Sequence, residues 1–263
     1  MLKFCVLGGG ISYTLSPVIH KTVFRTLGVD ADYAVEDIPP AALDANVPRL
    51  LADYDGFNVT KPHKAAIIPY LTAKETPLGA VNVVKRNGCN HIGHNTDLGG
   101  FTDDLAALAG DVRGLETLVL GAGGAAEAVV CGLTRAGAKV TVVNRTYAKA
   151  LALASAFGAR AAAGTEGLKP ELIVNCTSVG NNGESALPRC LDTSALKYAY
   201  DLVYSPARTA FMAECEIAGA RTSNGLGMLI RQAILADEIF LGIKPDAAAL
   251  IPVIEKAIEK ELS

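Results

Sequence analysis

The sequence predicts an α/β fold in two domains, and three observations support it. Short apolar, strand-like runs alternate with helix-like stretches along most of the chain, the order expected of parallel sheets with helical crossovers. A Gly-x-Gly-x-x-Ala turn near mid-chain lies between a strand and a helix and opens a second series of the same kind. At 263 residues, half of them hydrophobic and only 19% charged, the chain exceeds the usual single-domain length and can bury a substantial core.

In chain order, 2–7 reads as a strand, 16–27 as a helix, 33–35 as a strand, 41–51 as a helix and 56–59 as a short apolar strand. This βαβα order implies a mostly parallel sheet. Runs 81–86 and 89–92 flank Asn87-Gly88, a pair suited to the positive φ angles of a type I′ turn, so an antiparallel ribbon should close this half. A helix over 98–109 leads through Gly110 and Gly114 to a strand over 117–120. Strands at 139–143, 172–175 and 198–202, with helices at 125–135 and 147–157, then build a doubly wound sheet. Two last helical segments, 227–241 and 245–260, add no strand and are expected to return to the first domain. The expected domains are therefore 1–97 joined by 225–263, and 98–224.

Composition excludes several classes. A net charge of −3 and a pI near 5.8 leave no basic face for a phosphate backbone, so no nucleic-acid partner is expected. No leader-like N-terminal pattern occurs, and no apolar run approaches the roughly 20 residues that span a bilayer, so a cytoplasmic protein without a membrane role is expected. Six cysteines lie scattered without C-x-x-C spacing and read as reduced packing residues. Cys89, His91, His94 and Asp97 have the spacing of a metal cluster only superficially. On a strand, His91 and His94 point to opposite faces, so no metal is expected.

The glycine turn carries the first functional signal. In Gly121-Ala122-Gly123-Gly124-Ala125-Ala126, the first glycine permits the tight turn and the second lets a pyrophosphate approach the backbone. Ala126 takes the close-packing position, and the helix start supplies free N–H donors. About 20 residues later, where an acidic residue would bind a ribose 2′-hydroxyl, the sequence reads Asn144-Arg145-Thr146. Arg145 offers a cationic fork for a 2′-phosphate and its neighbours add neutral donors, which favours NADP(H) over NAD in a Rossmann domain. Without the glycine loop, Arg145 would read as a solvated surface residue. Cys176-Thr177-Ser178 lacks a nucleophile elbow and reads as a small polar loop beside the cofactor.

Polar residues also gather at strand ends in the first half: Thr14 and Ser16, Asn58 to Lys64, Asn82, and Asn95-Thr96-Asp97. Carboxyl ends of parallel strands share one crevice, and hydroxyl and amide groups suit a polyol. Lys64 and Asp97 could donate and accept the proton that accompanies hydride transfer. An exposed helix lysine and a helix N-cap aspartate explain them equally well, and spacing alone does not separate the two readings.

Taken together, Thr14-x-Ser16-Pro17, Asn58-Val59-Thr60-x-Pro62-x-Lys64, Gly79-Ala80-Val81-Asn82, Asn95-Thr96-Asp97, the glycine turn, Asn144-Arg145-Thr146 and Gly225-Leu226-Gly227-Met228 resemble the shikimate dehydrogenase family from end to end. The resemblance implies a substrate domain with a returning C-terminal helical segment and an NADP-binding domain. It implies reversible NADPH-dependent reduction of 3-dehydroshikimate to shikimate, in aromatic amino acid and chorismate biosynthesis, by a monomer or homodimer. By resemblance, Thr14 and Ser16 hold the substrate carboxylate, with Tyr204 nearby. Thr60, Asn82, Asp97 and Gln232 contact the ring hydroxyls, Lys64 and Asp97 form the catalytic pair, and Gly225 and Met228 line the nicotinamide pocket.

Three departures stand out. Thr14 adds a methyl where serine is common, Gly8-Gly9-Gly10 replaces Gly-x-Pro and should loosen the entry to this loop, and Val83 follows Asn82 in place of threonine. Two rival readings are a quinate/shikimate dehydrogenase of broader substrate or cofactor use, and a non-catalytic NADP-binding sensor. The sensor should have lost Lys64 or Asp97, and both are present.

Overall fold

A computed structural model of the chain describes residues 1–11 and 14–262, which divide into two units: Met1–Thr96 with Ile230–Ser263, and Asp97–Leu229. The first unit begins with β1 (Leu2–Gly8), α1 (Ser16–Thr26), β2 (Ala31–Asp37), α2 (Leu43–Asp53) and β3 (Gly56–Val59). It continues through β4 (Ala73–Lys74), β5 (Val83–Asn87) and β6 (Asn90–His94). The second unit runs through α3 (Asp97–Ala109), β7 (Glu116–Leu120), α4 (Gly124–Arg135), β8 (Lys139–Val143), α5 (Tyr147–Phe157) and β9 (Arg160–Ala162). It then passes through β10 (Leu172–Asn175), β11 (Tyr198–Asp201), α6 (Ala210–Ile217) and β12 (Arg221–Ser223). The division of the chain falls within α7 (Leu226–Leu241), after Leu229, and α8 (Ala247–Leu262) belongs to the first unit.

The first unit's sheet has the order β2-β1-β3-β5-β6-β4. β1 runs parallel to β2 and β3, β5 is antiparallel to β3 and β6, and β4 is parallel to β6. Period-two alternation in β1 fills both sides of this sheet. Phe4 and Val6 pack with Phe24 of α1 and Phe240 of α7, while Cys5 and Leu7 pack with Val47 and Leu50 of α2. The departure at Val83 has a packing cause, because its side chain is fully buried in the Phe4–Phe240 cluster.

The second unit's sheet has the order β12-β11-β10-β7-β8-β9, and every pairing is parallel. Counted along this unit, that is the doubly wound order 3-2-1-4-5-6, which reverses between β7 and β10. Val119 packs toward α3 and α4 with Phe101, Val129 and Leu133, while Leu118 and Leu120 face Phe211 and Cys215 of α6. Both faces are covered, as the continuous apolar strands require.

The α/β class and the mostly parallel sheets agree with expectation; the hairpin turn does not. Asn87 pairs with Asn90, so the two-residue loop is Gly88-Cys89 and not Asn87-Gly88. Only Gly88 has positive φ, at 61°, which is the type II′ pattern rather than type I′. The sequence reading also lacked β4, β9 and β12, whose two or three residues cannot display a period, and α6. That helix carried a legible start signal in Thr209, whose Oγ1 accepts the Met212 N–H at 3.2 Å.

Candidate functional site

At the switch point of the second unit, β7 delivers the chain into Gly121, where φ is +107°. A Cβ there would stand 3.2 Å from the Cys176 carbonyl carbon and oxygen and from Thr177 Cγ2, so the fold itself demands glycine. Asn175 shapes the facing loop: its Oδ1 accepts the Thr177 N–H at 3.0 Å and the Thr177 hydroxyl at 2.7 Å, while its Nδ2 donates to Asp201 Oδ1 at 2.8 Å. Burial pushes the Cys176 thiol well above its ordinary range, with Asp201 adding to the effect, which leaves a neutral packing residue and no nucleophile.

Gly123 is different. It is the N-cap of α4, with extended backbone (φ −99°, ψ −173°) and no side-chain cap, and a Cβ added to it meets nothing within 4 Å. Among the described residues no atom requires glycine at this position. α4 begins here with helical N–H groups that no N-cap side chain engages, a start whose charge suits a pyrophosphate. At the end of β8, Asn144 Nδ2 donates to the Thr146 carbonyl at 3.0 Å. Arg145 and Thr146 are exposed, and among the described residues the Arg145 guanidinium has no hydrogen bond or ion pair. The residues present therefore fit a phosphorylated dinucleotide.

Further along this unit, buried Asp201 accepts the Val203 N–H at 3.0 Å and the Thr209 hydroxyl at 2.6 Å, which fixes the loop that carries half-buried Tyr204. Burial raises the Asp201 carboxyl above its usual range, and these donors oppose the shift. Gly225 is buried and Met228 is 8% exposed. Asp97, also buried, is the first residue of α3 and belongs to this unit.

In the first unit, register brings the polar motifs to one end of the sheet's central strands. Leu7 pairs with Val59, Asn58 with Val83 and Val83 with His94, so the ends of β1, β3 and β6 meet the start of β5. Asn82 and Thr96 grip each other there: Asn82 Oδ1 accepts the Thr96 N–H at 2.8 Å, and Asn82 Nδ2 donates to Thr96 Oγ1 at 2.9 Å and to Gln232 Oε1 at 3.2 Å. Asn95 Nδ2 binds the Ala80 carbonyl at 2.8 Å, which ties the two motifs together a second time. Thr60 donates its N–H to the Leu7 carbonyl at 2.8 Å, and its methyl occupies the flank that a Cβ on Gly8 would need. Half-buried Lys64 is anchored through its backbone, since its carbonyl accepts the Val81 N–H at 2.8 Å. The buried ring of His63, next to it, meets the Ile38 carbonyl at 2.7 Å.

Thr14 and Ser16 stand at the start of α1, where the N-cap Leu15 offers no capping side chain, Thr14 Oγ1 accepts the Ser16 N–H at 3.3 Å, and the helix dipole favours an anion. Thr14 Oγ1 lies 3.0 Å from Ser16 Oγ. Ser16 in turn hydrogen-bonds the hydroxyl of buried Tyr33, which donates to Asn58 Oδ1 at 2.6 Å. His20 stacks on Tyr33 at 4.2 Å and 10°, and its Nδ1 meets buried Asp237 Oδ1 at 2.7 Å. Burial raises the Asp237 carboxyl, and His20 opposes the shift. Neither Tyr33 nor the His20–Asp237 pair was singled out from sequence, because each pairs residues that lie far apart in the chain. The triple-glycine entry is tethered by Asp37, whose carboxylate accepts the N–H of Gly10 at 2.6 Å and of Ile11 at 3.1 Å. His91 Nε2 meets the Leu51 carbonyl at 3.0 Å and His94 faces Glu75 at 3.6 Å; no metal-ligating group of three or more such side chains occurs among the described residues.

A doubly wound sheet with a glycine loop at its switch point defines a protein of the dinucleotide-binding α/β class, here joined to a second α/β unit with polar residues at its strand ends. The profile of the shikimate dehydrogenase substrate-binding domain matches residues 6–84, and that of shikimate/quinate 5-dehydrogenase matches residues 104–170. A shikimate dehydrogenase (NADP(+)) of Thermus thermophilus is 36% identical over 262 residues, covering 98% of this chain and 99% of the relative. One from Geobacter metallireducens is 40% identical over 91% of each chain. A solved structure of shikimate 5-dehydrogenase from Thermus thermophilus, in complex with NADP(H) and shikimate, has a TM-score of 0.89 at 36% identity and covers 98% of this chain and 100% of that one. The chain belongs to the shikimate dehydrogenase family.

Proposed function

We propose that this chain catalyses the reversible NADPH-dependent reduction of 3-dehydroshikimate to shikimate, a step of aromatic amino acid biosynthesis. The observation that carries the reading is the set of polar residues at the strand ends of the first unit. Two hydroxyls at a helix start suit a carboxylate, and the Asn82–Thr96–Gln232 cluster beside the Thr60 and Lys64 segment suits ring hydroxyls. NADPH, when bound, supplies the hydride.

The chain's residues do the rest. Thr14 and Ser16 hold the substrate carboxylate, with Tyr204 near it. Asn82, Gln232 and Thr60 orient the ring through its hydroxyls, each offering a donor and an acceptor. Lys64 Nζ gives its proton to the carbonyl oxygen as that oxygen becomes a hydroxyl, and takes one back in the oxidation direction. Asp97 accepts a hydrogen bond from the neighbouring hydroxyl and is the other member of the acid–base pair. Gly121, Ala122, Gly123, Gly124 and Ala125 receive the pyrophosphate. Asn144, Arg145 and Thr146 receive the 2′-phosphate, and Gly225 and Met228 flank the nicotinamide.

The test is absorbance at the reduced-nicotinamide band with purified protein, pairing shikimate or quinate with NADP or NAD. Rapid reduction with shikimate and NADP supports the proposal. Turnover of quinate at a comparable rate points to the broader enzyme, and silence in every pairing refutes both.

A further inference from the structure

The two glycines of Gly225-Leu226-Gly227 owe their identity to two different neighbours in the second unit. A Cβ on Gly225 would collide with the carbonyl of Leu202, the residue after β11, and one on Gly227 would collide with the carboxylate of Asp104 in α3. Asp104 is 8% exposed, and its Oδ2 accepts the hydroxyl of Tyr200, a fully buried residue of β11, at 2.6 Å. The Tyr200 ring meets Phe101 edge-on at 5.3 Å and 80°, so the phenol cannot swing away. One carboxylate thus joins three elements: it is carried by α3, oriented by β11, and pressed against the first turn of α7. Met228 follows directly and is buried in the core of this unit.

We propose that Asp104 is a positioning residue for hydride transfer, seating the first turn of α7 so that Gly225 and Met228 hold the nicotinamide in register. The inference rests on the reading of those two residues as the nicotinamide wall. Cofactor affinity resides mainly in the phosphates, which bind elsewhere at the β7 and β8 loops, whereas a displacement of about 1 Å at the reacting end can cost up to about 100-fold in rate. Loss of Asp104 should therefore lower kcat and leave NADP affinity nearly intact.

The experiment uses the full chain and four variants: Asp104→Ala, Asp104→Asn, Gly227→Ala, and Asp104→Ala combined with Gly227→Ala. Each is measured for kcat, for NADP dissociation constant, for melting temperature, and for the primary isotope effect with shikimate deuterated at the carbon that gives up hydride. Asp104→Ala is expected to lower kcat roughly 10- to 100-fold, to raise the isotope effect, and to leave NADP affinity within about 3-fold. Asp104→Asn keeps the shape and the tyrosine contact and should recover most of the rate. Gly227→Ala should be impaired alone and partly rescued in the double variant, where the carboxylate no longer occupies the methyl's place. A lower melting temperature for Asp104→Ala with unchanged kcat and isotope effect would overturn the proposal. So would a loss confined to NADP affinity. If the wild-type chain does not reduce NADP with shikimate, the functional reading fails before any variant is compared.

Discussion

Gly121 and Gly123 are two residues apart, and alanine at each should produce opposite signatures. At Gly121, alanine inherits φ +107°, a strain of about 1–3 kcal/mol. Its methyl also meets three atoms at 3.2 Å. The Cys176 backbone cannot retreat, because its N–H donates to the Leu120 carbonyl at 2.8 Å, and Thr177 is held by Asn175. Gly121→Ala should therefore destabilise the protein by about 2–4 kcal/mol. At Gly123 the backbone is already in a region alanine adopts and the methyl has open space. Losing glycine as N-cap costs roughly 0.5–1 kcal/mol, and the reduced freedom of the unfolded chain returns about 0.4–1 kcal/mol, so the net change is within about 0.5 kcal/mol. The methyl instead fills the space a pyrophosphate needs. Each charge-assisted bond it displaces is worth about 1.5–3 kcal/mol, which raises the NADP dissociation constant roughly 10- to 150-fold per bond. Urea titration and NADP binding on both variants provide the assay. A Gly123→Ala protein with normal stability and normal NADP affinity would refute the assignment of this loop to the cofactor.

Three further predictions follow from the same structure. Arg145→Ala should leave stability unchanged, because the side chain is exposed and unpaired among the described residues, while kcat/KM with NADP falls about 10- to 100-fold and kcat/KM with NAD hardly moves. Equal losses with both cofactors would contradict a 2′-phosphate contact. Lys64→Ala should lower kcat by roughly 10²–10⁴-fold with NADP binding intact, and near-normal turnover rules out its proton-transfer role. The third concerns acid stability. Arg49 forks onto Glu36 at 2.8 and 2.7 Å and Tyr54 adds a third bond, so the Glu36 carboxyl is held below its ordinary value by the arginine first and the tyrosine after burial's opposing effect. A carboxyl depressed in the folded state contributes stability that is present above its unfolded value near about 4.3 and is lost as pH falls through the folded one. Glu36→Gln should therefore be about 1 kcal/mol less stable at pH 7, and its deficit against wild type should shrink below about pH 4. A deficit that stays constant down to pH 3 contradicts the linkage.

Much of the molecule was legible because its signals are local. β8, β10 and α5 fall on the residues read as strands and a helix, since an apolar run bounded by polar turns needs no distant partner to declare itself. The glycine turn was readable for the same reason: strand, loop and helix start are contiguous, so one short segment specifies both the turn and the donors it exposes. The turn at Gly88 was misassigned because the ladder, through Asn87 and Asn90, chose which two residues form the loop. The edge strands escaped because two or three residues held by a neighbour's hydrogen bonds carry no period of their own.

The sequence by itself determined the fold class, the position of the nucleotide loop, the cationic tip at Arg145 and the family resemblance, all of which depend on residues close together or on motifs in a fixed order. Only the tertiary structure decided why particular positions are what they are. It separated Gly121, which the fold demands, from Gly123, which the fold leaves open. It joined Asn82 to Thr96 and Gln232, backed Ser16 with Tyr33, and set Asp104 against Gly227. These pairings span from 14 residues, Asn82 to Thr96, to 150, Asn82 to Gln232, and no one-dimensional pattern encodes them. They arise when apolar strands and helices bury their faces and bring buried polar groups together, where each must find a partner or destabilise the fold.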